Sequence, residues 1–173
     1  LDKYFALSQT MKEMHTAVGF LEKKIEVIPN MYDPEFFEKL ERINVKKSVD
    51  KIVILYVGRL SEEKGVEDLI RAFSKMSLNN VELHITGSGP KREELENIAN
   101  ATEMKKQIKF LGWTNYDVLP IIYKSADIFV HPARWPEAFA RTILEAMLAK
   151  LAIITSSSGA SRHILGDGGV IYE

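Results

Sequence analysis

Two glutamates, Glu137 and Glu145, bracket a run of apolar helix formers from Pro136 to Met147. Phe139, Ile143, Ala146 and Met147 fall at the spacing of one buried helix face. Leu144 and Leu148 add a second apolar row, so little of this helix is left for water. A carboxylate at Glu145 is costly there unless something hydrogen-bonds to it. Glu137 falls just before the helix, where free backbone N–H groups and the positive end of the dipole favour an anion. One carboxylate at the mouth and one two turns in could grip a polyhydroxylated anionic ligand. The alternative is an ordinary helix ion pair between Glu145 and Arg141, four residues earlier, in the weaker of the two orders.

Phosphate chemistry has its own candidates. Arg59 and Lys64 flank a loop that follows the apolar run Ile52–Val57, and Gly58 and Gly65 let that backbone approach a phosphate closely. The bland alternative is two solvated cations beside Glu62 and Glu63. Gly87-Ser88-Gly89-Pro90 lacks the third glycine of a dinucleotide fingerprint and reads as a tight turn that leaves room for a nucleotide. Ser158, Gly159 and Ala160 precede a short helix and form either a second anion-binding turn or a polar loop with an N-cap. His131 ends a strand, where a role near a ligand competes with a structural one. Trp135 could stack on a sugar face or pack its own loop.

These residues need a scaffold, and the chain alternates strand and helix regularly. Expected strands are Ile52–Val57, Val81–Thr86, Ile108–Phe110, Asp127–Val130, Ala152–Thr155 and Val170–Tyr172. Expected helices run from Val66 to about Met76, Lys91–Ala101 and Val118–Lys124, followed by the Glu137–Glu145 helix and a short one at Arg162–Leu165. The continuous apolar run at Ile52 is typical of a strand buried on both faces of a parallel sheet. The pattern predicts a doubly wound α/β, Rossmann-like fold over 51–173. Before it, Tyr4–Leu7 and Lys24–Ile28 read as short strands, with a helix capped by Ser8 between them. Residues 33–50 are charged, carry Pro34 and read as a linker with a helical turn or two. Ligands of such sheets bind outside the carboxyl ends of the strands, and every candidate above falls on that edge.

The set resembles the retaining glycosyltransferases with the two-domain GT-B fold, most closely their family 4. Glu137, Phe139, Glu145, Ala146 and Met147 match its signature of two Glu residues separated by seven others, with Phe after the first and Ala-Met after the second. Gly58-Arg59-Leu60 with Lys64-Gly65, Gly87-Ser88-Gly89-Pro90 and Phe110-Leu111-Gly112 match three further segments in order. The resemblance implies a hexosyltransferase of carbohydrate biosynthesis that moves a hexose from a UDP- or GDP-linked sugar to an acceptor sugar, lipid or protein. Configuration would be retained, and no metal or other cofactor used. Arg59 and Lys64 would hold the donor diphosphate and stabilise the leaving group, with Glu137 as the third catalytic residue accepting hydroxyls of the hexose. Glu145 would take the ribose diol; Ala138, Phe139 and Ala140 would offer N–H groups. Gly58, Gly87 and Gly159 would line the donor site, and the backbone near Leu111 would hold the base.

The resemblance further implies that residues 1–32 are the last strand and helix of a first domain plus the interdomain connection. The closing helices would also be absent, so the chain alone is expected to bind donor without transferring sugar. Membrane contact, if any, would come through the first domain. Several positions depart from the family pattern: Ala133 for a common serine, Ala140 for glycine, Lys150 and Ala152 for glycine and proline, Ala160 for glycine and His163 for a frequent Glu. The rival readings are a glycogen- or starch-synthase-like transferase, a non-catalytic sugar-nucleotide-binding module, and an epimerase of the same fold. The Glu pair with Ala146-Met147 argues against the last.

Composition narrows the classes. The 173 residues are 46% hydrophobic and 27% charged, as in an ordinary soluble globular protein, with a formal net charge of −1. That balance gives no nucleic-acid footprint. The absence of cysteine excludes disulfides and thiolate metal sites and fits a cytoplasmic setting. No Asp-x-Asp occurs, which argues against the metal-bridged diphosphate site of the other large glycosyltransferase fold. The four histidines have no metal-ligand spacing, and no apolar run reaches membrane-spanning length.

Overall fold

In the computed structural model, which describes residues 3–76 and 78–173, two parallel sheets are present. The smaller pairs β1 (Tyr4–Ala6) with β2 (Ile25–Val27), joined through helix α1 (Gln9–Ala17). Ser8 caps α1 as its sequence suggests, its Oγ accepting from the Met11 N–H at 3.1 Å. The first two residues of this segment, Leu1 and Asp2, lie outside the described ones.

The segment expected as a linker holds a helix of nine residues, α2 (Pro34–Arg42). Asp33 caps it, accepting from the Glu35 N–H, and Pro34 occupies the first turn, where a missing N–H costs nothing. Phe36 and Leu40, one turn apart, are buried on its inner face.

The larger sheet has six parallel strands: β3 (Ile52–Val57), β4 (Val81–Thr86), β5 (Ile108–Gly112), β6 (Ile128–His131), β7 (Ala152–Ser156) and β8 (Val170–Tyr172). Their spatial order is β5-β4-β3-β6-β7-β8. Alternation along β3 feeds two cores. Ile54 and Tyr56 pack with α3 (Val66–Ser74) and α4 (Arg92–Asn100) on one face. Leu55 and Val57 pack on the other with α2, α5 (Leu119–Ser125), α6 (Arg141–Leu148) and α7 (Ser161–Leu165). Both faces are covered, and the doubly wound α/β class is as expected. The strand order reverses direction between β3 and β6, which opens a crevice at their carboxyl ends.

The helix carrying the glutamates starts later than its composition suggests. Residues Pro136–Ala140 follow a non-helical path, and α6 begins at Arg141 with no side-chain cap. It ends in a Schellman motif: the Leu151 N–H donates to Ala146 O and the Lys150 N–H to Met147 O. Lys150, at φ 63°, takes the left-handed position where glycine is the usual choice.

Candidate functional site

The loops after β3 and β6 meet at the crevice and are stitched together. The carbonyl of Glu63 accepts from the Arg134 N–H at 2.9 Å. The Arg134 guanidinium clasps Asp68 at the start of α3 through two bonds of 2.6 and 2.7 Å. Gly65, at φ 66°, packs so tightly on the neighbouring loop that a Cβ would stand 1.9 Å from Pro132 O. These contacts leave Lys64 and Glu137 face to face, with Nζ 2.7 Å from Oε1.

Glu137 is held from three sides. Besides Lys64, the buried ring of His131 brings Nε2 to 3.4 Å from the same Oε1, within ion-pair range but outside hydrogen-bond geometry. From behind, the Ala160 N–H donates to Glu137 O at 3.0 Å. Gly159, at φ 61°, lies so close that a Cβ would stand 2.3 Å from Glu137 N and 2.5 Å from Glu137 O. Burial pushes the Glu137 carboxyl up, but His131 and Lys64 together outweigh it and bring its pKa down to about 2. This clamp explains the late start of α6: residue 137 is fixed to the loops around it before the helix can begin. The N–H groups of Ala138, Phe139 and Ala140 therefore lie on a non-helical segment and not in a first helical turn. The Ser158–Ala160 turn also braces Glu137. Its Ala160 N–H is spent on Glu137, and the Ser161 N–H donates to Ser158 O.

The two cations of the loop after β3 differ from each other. Lys64 is engaged by Glu137, whereas the exposed Arg59 makes no hydrogen bond or ion pair through its guanidinium among the described residues. The Arg59 backbone is fixed from below: the Tyr56 hydroxyl donates to its carbonyl at 2.8 Å. Burial, reinforced by the charges of Glu137 and Glu63, raises the pKa of that hydroxyl, so it stays a donor. Gly58 sits over the same hydroxyl, which a Cβ would approach to 2.6 Å. Gly87, at φ 140°, presses on the first loop in turn, a Cβ there falling 1.8 Å from Gly58 O. Together Gly58, Arg59, Gly87–Pro90, Trp113 and Thr114 line a cleft of about 450 Å³. Leu111 is exposed at the end of β5, next to this cleft's Trp113 wall in sequence.

Glu145 opens elsewhere. Its Oε2 accepts from the buried Tyr123 hydroxyl at 2.8 Å, and Arg141 approaches Oε1 at 3.7 Å. Burial raises its pKa, with Tyr123 and Arg141 opposing. The carboxylate borders a cavity of about 410 Å³ shared with Tyr116, Arg141, Leu144, Asn30–Asp33 and Phe36. The structure thus joins Lys64 to Glu137 directly, and lines one cleft with Gly58, Arg59 and Gly87. Glu145 faces a second cavity on the α2 side. Trp135 is exposed at the loop surface.

The family model for glycosyl transferases group 1 matches residues 37–172. The chain belongs to that family. An uncharacterized glycosyltransferase of Methanocaldococcus jannaschii is 40% identical over 169 residues, covering 92% of this chain and 43% of the relative. The GPI3 subunit of phosphatidylinositol N-acetylglucosaminyltransferase from Saccharomyces cerevisiae is 30% identical over 178 residues, covering 99% of this chain and 39% of that protein. Among solved structures, Anabaena HepE in complex with UDP superposes with a TM-score of 0.85 at 21% identity, over 99% of this chain and 50% of that one. The chain therefore spans about half the length, or less, of these group 1 glycosyl transferases. Its Rossmann-like sheet is that of a GT-B glycosyltransferase, as expected.

Sequence reasoning missed the parts of this group 1 site that come from afar. Tyr123, the partner of Glu145, lies on another helix, and Tyr56 points up from a core strand. A tyrosine in an otherwise aliphatic buried strand was the one available signal, because a buried hydroxyl needs a partner. Among the described residues, no three His, Asp or Glu side chains are grouped to share a metal ion, and no helix is long and apolar enough to cross a membrane.

Proposed function

We propose that this chain binds the donor of a retaining, metal-independent hexosyltransferase, a UDP- or GDP-linked sugar. The observation that carries the reading is the pairing at the strand-order reversal. A carboxylate for sugar hydroxyls (Glu137) and a cation for a diphosphate (Lys64) meet there from loops that are joined to each other, and Arg59 lines the adjoining cleft from the same loop as Lys64. Arg59 is uncommitted and meets the phosphates first; Lys64 leaves Glu137 to join it. Both then stabilise the charge that develops on the departing nucleoside diphosphate, the work a metal does in other sites. Glu137, freed of its lysine, accepts hydroxyls of the hexose. Glu145 offers Oε1 to a ribose diol, its Oε2 being occupied by Tyr123.

Retention rests on the resemblance of the Glu137–Met147 segment to family 4. In that mechanism the acceptor attacks from the face the leaving group departs, and the phosphate helps to deprotonate the acceptor hydroxyl. The Anabaena neighbour was solved with UDP-glucose as well as with UDP, which favours a uridine nucleotide among the two bases.

The test is calorimetric titration of the chain with UDP- and GDP-sugars, with and without a chelator. Binding is expected to persist with chelator present. Loss of a hydrogen bond to a charged group costs about 1.5–3 kcal/mol, so Glu145→Ala should weaken binding roughly tenfold to a hundredfold. Equal affinity in an intact Glu145→Ala variant removes Glu145 from the site, and a strict need for magnesium or manganese overturns the metal-independent phosphate site.

A further inference from the structure

His131 is a buried, titratable group that the donor-binding scheme leaves unused. It ends β6 with 4% of its surface exposed, and neither ring nitrogen has a hydrogen-bond partner among the described residues. A buried imidazole without partners is costly unless it has a second state in which it is satisfied. Its Nε2 already stands 3.4 Å from Glu137 Oε1, the oxygen that Lys64 occupies at 2.7 Å. Two potential cations thus share one carboxylate oxygen, and only one of them carries a permanent charge.

We infer that Lys64 and protonated His131 are interchangeable partners of Glu137, so that drawing Lys64 onto an anionic ligand is matched by proton uptake at His131. The ligand part rests on the donor-binding reading above. In the empty site Lys64 neutralises Glu137. When a diphosphate takes the ammonium, the half-buried carboxylate would be left without a cation, which is expensive in a low-dielectric setting. An imidazole can take a proton from water in the physiological range. Nε2–H then donates to Oε1 after a small movement of the ring. The proton comes from solvent and stays on the ring until Lys64 returns.

The other charged or polar groups around the pair do not substitute for His131. Glu63, beside Lys64, is negative, and Tyr56 from β3 is held protonated and donates to Arg59 O. Arg134 is bound to Asp68, and from β7 the Thr155 hydroxyl donates to the backbone carbonyl of His131, leaving the ring alone. His131 is on this account a positioning residue: it keeps Glu137 charged and in place while the lysine is away.

Two measurements test this, the first without any donor. In Lys64→Met the ring of His131, followed by NMR and assigned with His131→Gln, should take up its proton at higher pH than in the parent chain. An unchanged titration overturns the proposal. The second is titration with UDP-glucose in buffers of different ionisation enthalpy near pH 7.5. A sugar diphosphate has no group of its own that titrates there, so uptake of close to one proton is expected, with affinity rising up to about tenfold per pH unit as pH falls. His131→Gln, checked for an intact fold by its melting transition, should bind without proton uptake. Binding by the parent chain with no uptake overturns the inference and leaves the donor reading standing. A positive NMR result with no binding of either UDP- or GDP-linked sugars supports the exchange of partners and counts against the donor reading.

Discussion

Replacing Gly159 with alanine should loosen the clamp on Glu137, and the structure supplies the magnitude. Two terms add. The backbone stands at φ 61°, a conformation that costs an L-residue roughly 1–2 kcal/mol. The new methyl would also lie 2.3 Å from Glu137 N and 2.5 Å from Glu137 O. Neither is the end of a flexible side chain, so the two loops must separate, an overpacking cost of about 1–3 kcal/mol. The sum is about 2–5 kcal/mol. Gly19 is the internal control: it also has positive φ, at 100°, but nothing lies within 4 Å of where its methyl would stand. Gly19→Ala should therefore lose only the backbone part, about 1–2 kcal/mol. Urea unfolding of the parent and both variants, followed by circular dichroism, gives the two differences. A Gly159→Ala loss no larger than that of Gly19→Ala would refute the reasoning, because the loops would then yield without cost. Since opening the clamp shifts the Glu137 backbone and with it the carboxylate that would accept hexose hydroxyls, donor affinity should fall in Gly159→Ala and not in Gly19→Ala.

Two further outcomes follow from single positions. Lys150→Gly removes a left-handed lysine from the Schellman turn after α6, and should raise stability by about 1 kcal/mol in the same unfolding assay. Glu145→Gln should be as stable as the parent or more so at pH 7.5, by about 1 kcal/mol, while binding donor less well. Burial raises the parent carboxyl's pKa, so its folded state binds the extra proton and the parent gains stability as pH falls. The advantage of Glu145→Gln should shrink accordingly in unfolding curves taken at lower pH, and a Gln variant less stable at pH 7.5 would show that the ionised carboxylate is well compensated.

Strand β3 was legible because it is a short apolar run, β4 because its apolar residues alternate with polar ones, and both β4 and the edge strand β8 lie where the pattern put them. Helix α2 was under-read because its acidic and basic residues outnumber Phe36 and Leu40. Yet Asp33-Pro34 ahead of that pair is a helix start in its own right. The boundary of α6 was unreadable for a different reason. Residues 137–140 suit a helix locally, and what keeps them out of one is the Ala160 N–H, more than twenty positions downstream. The residue types of the site were visible as types. Which of them touch was not, because Lys64 and Glu137 are brought together by strands that neighbour in space and not in order.

The stitching of the two loops also bears on how such a site can change by descent or by design. Residues 58–65 and 131–137 share a carbonyl-to-amide bond and a glycine pressed against a proline carbonyl, and a guanidinium clasp ties Arg134 to Asp68 just beyond the first loop. Neither loop is a portable module. A chimera that imports one of them from a relative brings a backbone shaped for a different neighbour, and the misfit falls on Lys64 and Glu137, the two side chains at the seam. Exchange of both loops together keeps the seam intact, whereas Trp113 and Thr114, which line the neighbouring cleft and take no part in the clasp, are freer to vary.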